Sequence, residues 1–331
     1  MSAPDNIDVL EDYIEGRWPG VLDKLLLDHT KHHRKLPSHG SCNIVWATDS
    51  YASLGSDYAP DRPILKRLIT GDNGLVIQPR AAKTRAEQTA RTKDKAEVFT
   101  PSWVCNAQNN LVDNAWFGDD LANQFNTENH EHTWTTNHEP IKFPDGKTWR
   151  DYVRSSRLEL ACGEAPYLCS RYDAVSGQQI PVEERIGLLD RKLRVVSENA
   201  TTSGDWLEWA KIALRSTYGY EFQGDSLLIA RETAFMTFVD FYQHKFGRKV
   251  PKNSIDGVAY IVSWNLWQMD GLTGNVPFLK ESEPTQFELF ADVQPKCKDV
   301  PCIIRDWSIR NSERQLTIFQ SNKPFVEPQK S

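Results

Sequence analysis

The sequence is short of the features that assign a class at a glance. No run approaches the ~18 consecutive apolar residues of a membrane-spanning helix, so no membrane association is expected. The start, Met-Ser-Ala-Pro-Asp-Asn-Ile-Asp, is polar and acidic, unlike a secretory signal. The six cysteines (42, 105, 162, 169, 297 and 302) are scattered without a Cys-x-x-Cys pair. That argues against a zinc ribbon or a disulfide framework and suits reduced thiols in a cytoplasm. Gly-x-x-x-x-Gly-Lys-Ser/Thr is absent, which excludes a P-loop. A basic excess is missing too: 39 Lys and Arg face 45 Asp and Glu, for a net charge of −6. This weighs against a non-specific nucleic-acid binder, although a local basic face stays open.

What is present is a globular composition, 39% apolar and 25% charged over 331 residues, enough for one large domain or two smaller ones. Residues 7–30 carry two helical patterns broken at Trp18-Pro19-Gly20. The run His29–Lys35 then reads as a solvated helix end or a phosphate-facing edge. Cys42–Ala47 reads as a buried strand closed by Thr48-Asp49-Ser50-Tyr51, and Arg80–Lys95 is the most basic stretch. Thr100-Pro101 makes a helix entry, with Thr as cap and Pro at the first position. Residues 118–150 form a polar insertion. Its His130, Glu131, His132, His138 and Glu139 fit neither His-Glu-x-x-His nor a zinc finger, and no metal site is expected there. Residues 170–216 and 227–246 are helical in pattern.

The chain is organised around Arg157–Leu168, Arg-Leu-Glu-Leu-Ala-Cys-Gly-Glu-Ala-Pro-Tyr-Leu. It reads as a short strand, a turn of small residues that lets a ligand approach the backbone, and a helix start at Pro166. Doubly wound α/β proteins hold nucleotide-like ligands with this arrangement, at the carboxyl end of a strand. No basic residue in the turn suggests a phosphate cradle. The plainer alternative is an ordinary strand–helix turn.

This stretch resembles motif I of the S-adenosylmethionine-dependent DNA adenine methyltransferases, with Glu159, Cys162, Gly163, Tyr167 and Leu168 in matching places. Leu160 stands where the family has proline and Ala165 where it has a second glycine. A negative φ at Ala165 would preserve the turn. Phe99-Thr100-Pro101 is similar to motif X, which in the family contacts the methionine end of the cofactor. Glu221, in Tyr-Gly-Tyr-Glu, falls where motif II places a carboxylate for the ribose hydroxyls. Asp270, closing the apolar segment 261–270, falls where motif III places a partner for the adenine amino group. The resemblance implies a Rossmann-like α/β fold, a mostly parallel sheet with helices on both faces. Strands would lie at 156–161, 217–221, 264–269 and 300–305. The implied cofactor, S-adenosylmethionine, would meet Phe99, Thr100, Pro101, Glu159, Ala161, Cys162, Gly163, Glu221 and Asp270.

Motif IV, Asn/Asp-Pro-Pro-aromatic, is not in the sequence. In the family it holds the flipped adenine, its first residue and carbonyl taking the amine and its aromatic stacking on the base. Two strand ends could stand in. Asp306-Trp307 has the expected order, and Asp49-Tyr51 has the better chemistry in a permuted order. The implied activity is methylation of the adenine amino group in double-stranded DNA, in a restriction–modification system with a restriction or specificity subunit as partner. The alternative is a non-catalytic methyltransferase-like subunit for DNA binding or assembly. The implied division is an N-terminal region (1–95) as candidate DNA contact, a methyltransferase-like domain (96–322) with insertions at 118–150 and 173–215, and a tail (323–331).

Overall fold

The computed structural model describes residues 11–83, 100–282, 297–309 and 316–319. Its organising element is a small parallel sheet. Strand β3 (Arg157–Glu159) pairs with β4 (Thr217–Glu221), and β4 with β5 (Leu266–Gln268), in the order β3-β4-β5. Short strands β1 (Asn126–Glu128) and β2 (Trp134–Thr136) make a separate hairpin. Strands β6 (Asn275–Ser282) and β7 (Cys297–Pro301) pair antiparallel, as do β8 (Ile303–Arg305) and β9 (Leu316–Ile318). The protein is thus α/β with small, mixed sheets, less than the single mostly parallel sheet expected.

Three of the four expected strands are parallel neighbours, and the fourth is not. The chain from Cys302 to Trp307 runs against β5: Cys302 Sγ meets the Gln268 carbonyl at one end, and Trp307 Nε1 donates to Asn265 Oδ1 (2.6 Å) at the other. The apolar run 300–305 fits a buried strand of either direction, because periodicity carries no sense of polarity.

The two sheet faces follow strand alternation. Leu266 faces the large helical core, while Tyr218 and Trp267 face a smaller core formed with β6, β7 and β8. The helical side is built from α1 (Glu11–Arg17), α2 (Val21–Leu26), α3 (His29–Arg34), α4 (Ser102–Phe117), α5 (Trp149–Arg154), α6 (Leu188–Asn199), α7 (Ser203–Arg215), α8 (Gly224–Phe246) and α9 (Lys252–Asn265). Helix α8 is buried nearly all round, its polar residues Asp225, Arg231, Glu232, Thr233 and Thr237 included. Its Arg231 guanidinium donates to the carbonyls of Leu25, Leu27, Ser263 and Leu266, which joins α2, α8 and α9.

The basic run at 29–34 is helix α3, capped by the Asp28 carboxylate on Thr30 N and Lys31 N. It is not solvated throughout. His29 is buried, stacked on Trp264 at 4.1 Å, and Lys31 is buried with its ammonium on the Asn43 carbonyl. The segment expected as strand 42–47 is an extended ribbon held by isolated bridges to Leu27 and Pro63. Helix α4 begins one residue later than expected. Pro101 is its cap, and Asp173 Oδ2 accepts from Ser102 N. The pattern at 170–216 resolves into an irregular stretch followed by α6 and α7.

Candidate functional site

The carboxyl ends of β3, β4 and β5 meet at the turn Ala161–Ala165. Ala161 (φ 47°), Gly163 (φ 53°) and Ala165 (φ 59°) are all left-handed. The negative φ at which alanine would fit this turn freely is not met at Ala165. A left-handed alanine costs about 1 kcal/mol or more, and such strain concentrates at functional sites. A third left-handed alanine, Ala47 (φ 65°), ends the extended ribbon just before Thr48-Asp49-Ser50-Tyr51.

Glu221 explains how the strained turn is held. Its carboxylate accepts from Gly163 N and Gln223 N, both at 2.9 Å, so one side chain ties the turn after β3 to the start of α8. Burial pushes its carboxyl up, against the backbone hydrogen bonds that pull it down. Glu159 lies beside it. One of its oxygens, Oε2, is buried without a hydrogen-bond partner, while the N–H groups of Tyr167 and Leu168 face the carboxylate. Burial, and more weakly the nearby Glu221, raise the Glu159 carboxyl well above the usual range. Above the turn the space is open. A Cβ added at Gly163 would touch nothing, Ala161 is exposed, and Leu160 is 63% exposed. Cys162 is buried under the turn, and burial raises its thiol well above the ordinary value.

Thr100 and Pro101 adjoin this turn. The Tyr167 hydroxyl meets the Thr100 and Cys105 side chains, and Asn109 of α4 donates to the carbonyls of Tyr167 (2.9 Å) and Ile186 (3.0 Å). Phe99 lies outside the described residues. A buried polar network roots α4: Arg191 donates to Asp113 (2.8 Å), Asn106 (2.9 Å) and Asn110 (2.7 Å), and Asp113 also takes Tyr152 and Arg157. The four polar residues Asn106, Asn109, Asn110 and Asp113 lie in a helix that the sequence marks only as polar. The signal missed was their helical spacing, which puts them on one side.

Asp270 stands at the same end, after β5, but turns its carboxylate onto its own loop, accepting from Leu272 N (2.9 Å) and Thr273 N (3.4 Å). The extended ribbon forms the far wall. Gln268 accepts from Val45 N and donates to the carbonyls of Val45 and Phe222, all at 2.8 Å, and Gly224 N donates to the Trp46 carbonyl. A Cβ at Gly224 would come within 2.0 Å of the Val45 carbonyl oxygen, so the contact requires glycine. Asp49 opens a short 3-10 helix, Asp49–Leu54. Tyr51 is buried, its ring against Trp46 at 4.7 Å and its hydroxyl on Asp225 Oδ2 at 2.8 Å.

Asp306 and Trp307 lie at the other end of the sheet. Trp307 bonds Asn265, whose amide donates to the Leu214 and Thr217 carbonyls at the amino ends of β4 and β5. Arg305 (4.2 Å) and Arg215 (5.1 Å) cover the Trp307 ring, and Asp306 takes Ser308 N and Oγ. The structure therefore brings together Thr100, Pro101, Glu159, Ala161, Cys162, Gly163 and Glu221, with Asp270 and Asp49 on the same side of the sheet. It separates Asp306 and Trp307 from them, because segment 302–307 runs against β5.

Among the described residues, no three His, Cys, Asp or Glu side chains converge as a metal site, and no helix is long and apolar enough to cross a membrane. Of the insertion's histidines, His132 stacks on Trp103, and His138 borders a groove of about 400 Å³ between α6 and α8. That groove's Arg194 and Lys245 are engaged with Glu198 and the Ser197 carbonyl. No family model, curated protein or solved structure matches this chain.

Proposed function

We propose that the chain is a DNA methyltransferase that takes its methyl group from S-adenosylmethionine and places it on the amino group of adenine, as the modification component of a restriction–modification system. The observation that carries this reading is the Glu221 carboxylate bonded to Gly163 N within a strained, open turn at the carboxyl end of parallel strands. The contact of Tyr167 with Thr100 supports it, because it puts the motif X-like and motif I-like segments side by side.

The residues present suit such a cofactor. A carboxylate offers about four acceptor positions; the N–H groups of Gly163, Gln223 and Phe222 face Glu221, which leaves room for a ribose hydroxyl. The exposed turn admits a ligand against the backbone, and the unpartnered Glu159 Oε2 is a further hydrogen-bonding position. The bound cofactor would supply the methyl group. The protein's part is to hold the ribose through Glu221 and to present the adenine amine in line, with no covalent enzyme intermediate. Asp49 is the candidate nearest in kind to a carboxylate that receives a hydrogen bond from that amine. DNA and a restriction or specificity subunit are the partners this reading entails.

A second reading is a methyltransferase-like subunit that binds DNA or assembles a complex without catalysis. One observation favours it: neither candidate aromatic offers a stacking face at the turn. Trp307 is at the far end of the sheet, and Tyr51 is buried with its hydroxyl engaged. Calorimetry with S-adenosylmethionine and tritiated methyl transfer to mixed genomic DNA separate the two. Binding with transfer supports the enzyme, and binding without transfer, with or without neighbouring gene products, supports the second reading. No binding removes the enzyme and leaves the second reading.

A further inference from the structure

If base recognition occurs at this end of the sheet, an aromatic other than the two candidates must do it. Four aromatic side chains are more than a third exposed among the described residues: Tyr13, Trp103, Tyr260 and Phe278. Of their elements only α4, which carries Trp103, is hydrogen-bonded to the 161–168 segment, through Asn109 on the Tyr167 carbonyl. Trp103 stands two residues after Pro101, in the first turn of the helix that directly follows the Thr100–Tyr167 contact.

Trp103 is 37% exposed and does not stand alone. His132 stacks on it with ring centroids 4.0 Å apart and planes 27° from parallel. His132 comes from the tip of the β1–β2 hairpin, where its φ of 57° is left-handed. A left-handed residue at that point suits the hairpin loop, which Asn129 N closes on the Thr133 carbonyl, and it sets the ring against Trp103. The hairpin is itself fastened to α4, through the reciprocal amide bonds of Asn106 and Asn126. The aromatic pair is therefore buttressed from both sides. Val175 (54% exposed) continues the rim past Asp173, which caps α4 at Ser102 N.

We propose that Trp103, backed by His132, is the platform on which this protein stacks a nucleobase of its DNA substrate. The proposal rests on the methyltransferase reading and supplies the aromatic that this reading lacks. Stacking on an indole face needs no sequence-specific hydrogen bond, so the platform would bind any base and leave discrimination to other groups.

The probe is a fluorescently labelled oligo(dA) single strand, with an abasic strand of equal length as comparator, measured by anisotropy. Trp103→Ala should weaken oligo(dA) binding roughly ten- to a hundredfold and leave abasic-strand and S-adenosylmethionine binding unchanged. Trp103→Phe should recover most of the loss, and His132→Ala should cause a smaller loss of the same kind. Leu111→Ala, an exposed site on the same helix, should change nothing. Equal loss on both strands would assign Trp103 to backbone contact or folding and overturn the platform. Undiminished oligo(dA) binding by Trp103→Ala, or wild type that binds both strands equally, would also overturn it. If wild type binds no S-adenosylmethionine, the methyltransferase reading itself fails, a result distinct from the loss of base stacking alone.

Discussion

The two ends of the parallel sheet are built to opposite rules. At the amino end a buried ammonium and a buried amide are matched by converging carbonyls. Lys192 is buried with its ammonium on the Ser155 carbonyl (2.6 Å), the Ser216 carbonyl (3.0 Å) and Ser216 Oγ (2.7 Å). Asn265 and Trp307 close the same end under Arg215 and Arg305. At the carboxyl end the backbone is strained, a buried carboxylate oxygen of Glu159 has no partner, and the space above the turn is open. Favourable contacts at one end hold together a fold whose other end departs from its local optimum, as expected where stability and ligand binding are separated in space. The comparison makes a sorted set of predictions: substitutions at the amino end should change stability alone, and those at the carboxyl end should change ligand binding.

The largest effect should come from Lys192. Replacing it with alanine strands buried carbonyls that a charged donor satisfied, and about 3 kcal/mol or more of stability should be lost in urea unfolding. Lys192→Met, which keeps the stem, should lose less. Cofactor affinity should be unchanged in whatever remains folded, and a selective loss of cofactor binding would show the ends to be coupled. Trp307→Ala comes next, at about 2–4 kcal/mol for a partly buried indole with a hydrogen bond and two guanidinium neighbours. Methyl transfer per folded molecule should stay constant, and a drop in transfer at unchanged stability would return Trp307 to the active end.

Acid should act through His29. Burial, with Arg231 as the next cause, lowers its pKa to about 2. In the unfolded chain it takes up a proton below about pH 6.5, whereas in the fold it stays neutral. Its contribution is therefore lost as pH falls, by about 1.4 kcal/mol per unit below pH 6.5 and down towards pH 2. His29→Gln should flatten that slope between pH 6 and 4. An identical slope in the variant would mean that other groups set the acid response. Glu159 has the opposite sign. Its raised pKa means that stability is lost as pH rises above the ordinary carboxyl value, so Glu159→Gln should stabilise the protein more at pH 8 than at pH 5.

The smallest effect should be Ala165→Gly. A left-handed alanine gains about 1 kcal/mol on replacement by glycine, set against the greater entropy glycine has to lose. A small rise in melting temperature is expected, and a fall would mean that the Ala165 methyl, which is buried, contributes more packing than its backbone costs.

What could be read from the sequence divides along the same line. The three parallel strands and the turn were legible through the resemblance, but no helix starts at Pro166, where the chain goes on in turns. The segment at 300–305 was assigned in the same way and has the wrong direction, which only its partners fix. The burial of Lys31, Lys192 and Arg231 was not legible, since nothing local shows that carbonyls from distant segments converge on them. The strain at Ala161 and Ala165 was equally hidden, because alanine does not announce a left-handed φ as glycine does. Trp103 and His132 lie 29 positions apart and meet only because the β1–β2 hairpin folds back on α4.

The central claim is that the carboxyl end of the sheet is a cofactor site held by Glu221. It is tested most directly by titrating S-adenosylmethionine into wild type, Glu221→Ala and Trp307→Ala in a calorimeter. Glu221 is expected to give the ribose charge-assisted hydrogen bonds of roughly 1.5–3 kcal/mol each. Saturable binding by wild type and Trp307→Ala, weakened at least about tenfold in Glu221→Ala, is the predicted result. Equal affinity in all three proteins, or no saturable heat from wild type, would contradict it.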